Sequence, residues 1–444
     1  MASADRYRQI AFADLPPLPK VVPPHVRLIR LGITVMPVLA CVLLAWWYAL
    51  PSLIVTKLDA WTTRMDFGTT EIHAAAVRAE ADLGLKLIRS LSAEHQNVVV
   101  SPYSAGSALA MVLAGAKGRT RDEIVQALGL TVSPEEFVSA HKVLNEALAE
   151  TPFSHDVAVA NLVAVTPGVP APLADYTKTI DRNLAAEVMP AATASAVGDW
   201  VARQTRGRIR GAAAPQAGYS LFNALYFKAP WSTAFKRSET KPRGFVMADG
   251  SIVQVAMMAH KDMRMAVGRG EGYRFARVPY GGDRFAMIVV LPEDVGGLDS
   301  VLAGLSGETL IGHSRQLREI KKVKRSVWMP KLTSSAEYGL NDALKRAGVR
   351  CAFDAGCADF SVASPYPVFI DKSLQTIFVD VSEAGTEAAA ITKMELQLAS
   401  SELVIESNDF HVDRPYLFAI VDDATDSVLF LGRIDNPAAA SPAS

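Results

Sequence analysis

The sequence predicts an α+β fold in which helices pack on large, mostly antiparallel β-sheets and an exposed loop lies near the C-terminal end. Three observations predict it. Apolar residues recur at three-and-four spacing early in the chain, and later they gather in short branched and aromatic runs bounded by Gly, Pro or Asp. One late segment, Glu383 to Ser400, combines the small residues of a loop with the alternation of a strand.

The chain has 444 residues, half of them hydrophobic, with 45 basic against 46 acidic side chains. It can bury a sizeable core, and its balanced charge gives no attraction for nucleic acid. Residues 1–30, with Pro16, Pro17, Pro19, Pro23 and Pro24, read as a disordered tail. Leu31 to Val55 carries no charge and is long enough, at about 1.5 Å per residue, to cross a hydrocarbon core of roughly 30 Å. It is expected to be a transmembrane signal-anchor helix, with a cleaved signal peptide or a buried core helix as the alternatives. Arg6, Arg8, Lys20, Arg27 and Arg30 precede it, so the N-terminus is expected in the cytoplasm and the rest of a single-pass protein in the periplasmic or extracellular space.

From residue 67 to 444 no linker or repeat interrupts the chain, and one domain is expected. Ala74 to Leu91 and Ser104 to Leu113 have helical spacing, and Ser133-Pro-Glu-Glu136 opens another helix with a capping box. Val157 to Val165, Leu221 to Phe227, Phe285 to Leu291, Ser326 to Met329, Gln375 to Val381, Tyr416 to Val421 and Val428 to Leu431 read as strands. Cys351 and Cys357 could close a short disulfide or remain buried thiols.

Nothing in this chain reads as an enzyme. It has no Gly-X-Ser-X-Gly elbow, no His-Glu-X-X-His and no phosphate loop, and its eight histidines stand singly. No catalytic residue, cofactor or metal is expected. Gly268-Arg-Gly-Glu-Gly272 reads as a turn. Lys321-Lys-Val-Lys-Arg325 reads as a solvated strand edge, with polyanion binding as the functional alternative.

The late segment is the most informative. Counting by twos from Thr386 gives Thr386, Ala388, Ala390, Thr392, Met394, Leu396 and Leu398, small then apolar. The alternates Glu387, Ala389, Ile391, Lys393, Glu395 and Gln397 are mostly polar. A loop has no use for this period unless it sometimes lies in a sheet with one face buried. No proline occurs between Gly385 and Asp413, so each residue can offer its N–H to a ladder.

Several blocks together resemble the serpin family, from about residue 70 to Pro437. They are Asn97-Val-Val-Val-Ser-Pro-Tyr-Ser104, Gly115-Ala-Lys-Gly-Arg-Thr-Arg-Asp-Glu-Ile124, Asn223-Ala-Leu-Tyr-Phe-Lys-Ala-Pro-Trp231, Val255-Ala-Met-Met258, Ala358-Asp-Phe-Ser361, Glu383-Ala-Gly-Thr-Glu-Ala-Ala-Ala390 and Asp413-Arg-Pro-Tyr-Leu-Phe418 through Leu431-Gly-Arg433. The resemblance implies the serpin fold with an exposed reactive-centre loop, and a monomeric single-use inhibitor. A serine protease attacks the loop and is held as a covalent acyl-enzyme while the cut loop inserts into the main sheet. A non-inhibitory binding or scaffold protein on the same fold is the alternative.

Residue by residue, the resemblance implies a hinge at Glu383, Gly385, Thr386, Glu387, Ala388, Ala389 and Ala390, where Ile391 is larger than the residue usual in the family. The reactive bond is expected at Ala399-Ser400, within a range from Leu398 to Val404, because this loop is about five residues longer before Pro415 than in common members. Small and aliphatic residues in that range favour elastase- or chymotrypsin-like proteases. Lys331, with Glu383 and near Trp231, is expected to control sheet opening at the top of the sheet. Ser101 and Ser104 are expected to do so at its centre, beside Gln375, where the family often has His.

Overall fold

A computed structural model describes residues 70–151, 155–211, 214–386 and 409–439. In chain order it contains helix α1 (Glu71–Leu91), strand β1 (Asn97–Val100), helices α2 (Pro102–Gly115), α3 (Gly118–Leu128) and α4 (Pro134–Ala149), strand β2 (Asp156–Val165), helix α5 (Ala174–Leu184), strand β3 (Ala186–Met189), helix α6 (Ala194–Gln204) and strand β4 (Tyr219–Pro230). Five strands follow: β5 (Lys241–Val246), β6 (Ile252–Met265), β7 (Val267–Gly270), β8 (Tyr273–Pro279) and β9 (Phe285–Pro292). Helices α7 (Leu298–Gly304) and α8 (Gly307–Glu319) precede β10 (Val323–Pro330), β11 (Leu332–Gly339), α9 (Asn341–Arg346), β12 (Ile370–Ser382), β13 (Gly385–Thr386), β14 (Phe410–His411), β15 (Tyr416–Asp422) and β16 (Ser427–Ile434).

The strands form three sheets. Their orders are β1-β16-β15-β9-β8-β7, β14-β10-β6-β5 and β11-β12-β13-β4-β2-β3. Every position of β9 and β15 is buried, so that sheet is covered on both faces and its strands read as continuous apolar runs rather than alternating ones. Helix α2 lies between sheets, touching β16 on one side and β4 on the other. Its small residues Ala105, Gly106, Ser107 and Ala108 are all buried, which lets the surrounding backbone approach closely. On the opposite face of the third sheet, Val197, Trp200 and Val201 of α6 pack against Leu162, Ala164 and Phe222.

Each helix and strand expected between residues 74 and 431 exists, with boundaries a few residues wider. The capping box is present: the Ser133 N–H donates to Glu136 Oε2 at 2.8 Å and the Glu136 N–H to Ser133 Oγ at 3.2 Å. The Gly268–Gly272 turn is corrected, because Gly268 to Gly270 belong to β7 and only the residues before Tyr273 turn the hairpin to β8. Cys351 and Cys357 form a disulfide, with Cα atoms 4.9 Å apart.

The membrane expectation is also corrected. Leu31 to Val55 lies outside the described residues, and no helix among the described residues is long and apolar enough to cross a membrane. The most thoroughly buried of them, α2, has 14 residues and spends its apolar surface on the protein's own sheets. A single-pass placement with a cytoplasmic N-terminus therefore has no support in the described fold.

Candidate functional site

The site is a seam in the third sheet. Strands β12 and β4 run parallel, in register from Lys372 opposite Ser220 to Phe378 opposite Tyr226. Beyond that point they part, and β13 occupies the gap antiparallel to both. Thr386 pairs with Val381 and Ala229, and Gly385 with Ser382 and Pro230. Gly385 and Thr386, the second of which opens the alternating count, thus already lie as a strand.

Gly385 has φ +151°, and a Cβ there would meet Ala229 O at 2.1 Å and Pro230 Cα at 2.6 Å. Only glycine lets the chain turn back so close to β4. Around it, the Trp231 N–H donates to Ala384 O at 3.0 Å and the Phe235 N–H to Glu383 O at 2.9 Å. The Trp231 indole Nε1–H donates to Ser382 O at 2.8 Å, and the ring stacks on Tyr280 with centroids 4.4 Å apart. The Tyr280 hydroxyl lies 2.6 Å from Thr386 Oγ1.

Lys331 reaches Glu383 Oε2 at 3.0 Å, and the Thr240 hydroxyl donates to Oε1 at 2.9 Å. Burial raises the Glu383 carboxyl, but the bonds from its own backbone amide, Lys331 and Thr240 outweigh burial and hold it below the ordinary carboxylate range. Lys331, Trp231, Glu383, Gly385 and Thr386 are therefore brought together.

The centre of the seam is polar. Gln375 sits opposite Asn223 across the two parallel strands. Its Oε1 accepts from the Ser101 N–H and its Nε2 donates to Ser101 O, both at 2.9 Å. Ser101 caps α2 by accepting the Ser104 N–H on Oγ at 3.0 Å. Ser104 is buried here too, but its hydroxyl makes no hydrogen bond among the described residues. Asn223 continues the row by donating to Asn161 Oδ1 at 2.6 Å, and Asn161 donates to Leu184 O at 2.8 Å.

Glu387, Ala388, Ala389, Ala390 and the range Leu398 to Val404, with Ala399 and Ser400, lie outside the described residues. Asn223, Asn161, Thr240 and Tyr280 are the site residues that sequence reasoning missed. An Asn inside the apolar run Leu221 to Phe227 was a usable signal, because a buried amide needs partners. Thr240 and Tyr280 carry no such mark.

Residues 78–437 match the family model described as serpin (serine protease inhibitor). The chain is a serpin. Rat glia-derived nexin is 31% identical over 376 residues, covering 80% of this chain and 92% of the relative. The crystal structure of native protease nexin-1 with heparin superimposes with a TM-score of 0.70 at 27% identity, covering 82% of this serpin and all of that chain. Human thyroxine-binding globulin complexed with its hormone superimposes with a TM-score of 0.72 at 25% identity, covering 83% and all of that chain. As a serpin it has the helix-on-sheet fold that the sequence blocks imply.

Proposed function

We propose that this serpin is a suicide inhibitor of elastase- or chymotrypsin-like serine proteases. The observation that carries the proposal is the seating of Gly385 and Thr386 between β12 and β4, two strands paired parallel below them. A segment continuing from Thr386 down the seam would run antiparallel to both neighbours. It would replace one parallel ladder, the less stable kind, with two antiparallel ones. About fourteen residues, Thr386 to Ala399, would span about 45 Å when extended.

The protease serine attacks the scissile carbonyl, the amine of the following residue leaves, and the loop remains as an ester on the enzyme. Insertion then carries the protease along the sheet before water can cleave that ester. Leu398, Ala399, Leu403 and Val404 suit a small or apolar primary pocket. Lys331, Glu383 and Trp231 hold the top of the seam closed, and Ser101, Ser104 and Gln375 hold its centre. The Glu383 and Gln375 bonds support this assignment.

The test is to mix the protein with an elastase and look for an SDS-stable covalent complex, with mass spectrometry locating the cut. A complex joined between Leu398 and Val404 is expected. Cleavage only after Lys393 or Arg414 would sink the assigned specificity. Turnover of the loop without a complex would favour a binding protein on this fold, a reading to which the likeness to thyroxine-binding globulin lends its one support.

A further inference from the structure

The seam leaves unexplained the basic run Lys321-Lys-Val-Lys-Arg325, which opens β10. Lys321, Lys322 and Lys324 are exposed, and Lys324 stands directly opposite exposed Arg264 of β6. Like charges facing each other across a ladder disfavour the pairing, so Lys324 and Arg264 do not serve the sheet, and Lys321 and Lys322 precede the ladder. Asp262 approaches Lys324 at 3.8 Å, while Arg264, Lys321 and Lys322 make no ion pair among the described residues.

The position of this edge is the second observation. Strand β14, which follows the reactive loop, pairs with β10 through Phe410 opposite Val327 and His411 opposite Trp328. The pairing is parallel, so the end of β14 that the loop feeds lies toward the basic end of β10. Asp409 marks that end: its Oδ1 accepts the Ser326 N–H at 3.1 Å and its carbonyl accepts from Arg274 Nη1 at 3.0 Å. Asp409, the first described residue after the loop, therefore lies beside this edge.

We infer that Lys321, Lys322, Lys324 and Arg264 form a secondary docking edge for a serine protease whose surface beside its active site is acidic. The inference rests on the inhibitory reading above. Opposite charge at the rim of an encounter acts on the association rate and on its salt dependence more than on the final complex. The edge would therefore select among proteases that cut the same loop sequence.

The test compares the full chain with its Lys321→Gln/Lys322→Gln/Lys324→Gln variant, using one elastase-like protease of acidic surface and one of basic surface. The rate of covalent complex formation with the acidic protease should fall about tenfold or more at low salt. It should be unchanged or raised with the basic one. The difference should vanish near 1 M salt, where the Debye length is about 3 Å. An unchanged thermal midpoint and inhibition stoichiometry show that the variant is folded.

Equal rates for variant and parent with the acidic protease would overturn the inference. So would an equal fall with both proteases, which would mean that the edge acts on the loop itself. Retention on a sulfated polysaccharide that the variant loses, with protease rates unchanged, would assign the edge to a polyanion instead. Equilibrium binding of the acidic protease with its nucleophilic serine replaced separates the two proposals. Charge-dependent binding without any covalent complex sinks the inhibitory reading and keeps the edge, whereas a covalent complex with charge-independent rates does the reverse.

Discussion

The side chain of Gln375 closes two hydrogen bonds, each 2.9 Å, on the backbone N–H and C=O of Ser101, fastening the middle of β12 to the first turn of α2. An amide does this without titrating, so the centre of the seam holds equally well across the range in which an imidazole would change charge. Replacement by His should make the resistance of the seam to opening depend on pH between about 5 and 8. Urea unfolding midpoints of the Gln375→His variant at both ends of that range measure it, and a pH-independent midpoint would refute it. Gln375→Ala strands the Ser101 N–H, while the Ser101 C=O keeps its bond from the Ala105 N–H, with an expected loss of about 1 to 3 kcal/mol by the same measurement.

At the top of the seam Glu383 has the opposite character. Its folded carboxyl lies below the ordinary value, so its contribution is complete above the unfolded pKa of about 4.3 and disappears as pH falls through the depressed value. Acid should therefore loosen the hinge in the parent, while a Glu383→Gln variant should be loose already and change less. Hydrogen exchange at the Trp231 and Phe235 amides, which donate to Ala384 O and Glu383 O, reports it. Glu383→Lys places two cations together beside Lys331 and should promote opening and polymerisation; a fully active monomer would contradict this.

Gly385→Ala tests whether the seated hinge matters. The methyl group has no room against Ala229 O, and the backbone at φ +151° is strained for any other residue. A cost of about 1 to 3 kcal/mol would unseat β13. The expected result is more loop cleaved per protease molecule trapped, read as a rise in inhibition stoichiometry.

Away from the seam, Arg284 and Asp422 form a fully buried ion pair at 2.9 Å, and Arg284 also donates to the carbonyls of Ala147 and Glu150 at the end of α4. Arg284→Ala leaves Asp422 charged in the core and should cost about 3 to 5 kcal/mol. Denaturant unfolding checks it, and loop cleavage by protease should be unaffected in the fraction that folds.

The fold class and the strands with strong branched or aromatic runs were legible in the sequence, whereas the hinge expected from Glu383 to Ala390 is described only as far as Thr386. Each of these is written locally, in a period, a cap or a string of small residues that one stretch of chain displays. It said less about β6, β11 and α6, whose burial is interrupted by exposed or polar positions so that no clean period survives. It also marked Leu31 to Val55 for a membrane on length and apolarity, for which the described fold holds no spanning helix in support.

Partnership between side chains follows from the packed chain alone. That Glu383 meets Lys331 and Thr240, that Gln375 turns to the backbone of Ser101 and stands opposite Asn223, and that the basic start of β10 lies beside the strand leaving the loop all depend on contacts between distant segments. Side-chain type limits what a residue can bond. Which partner stands within 3 Å is set by sheet order and register, and those are properties of the whole chain packed around one core.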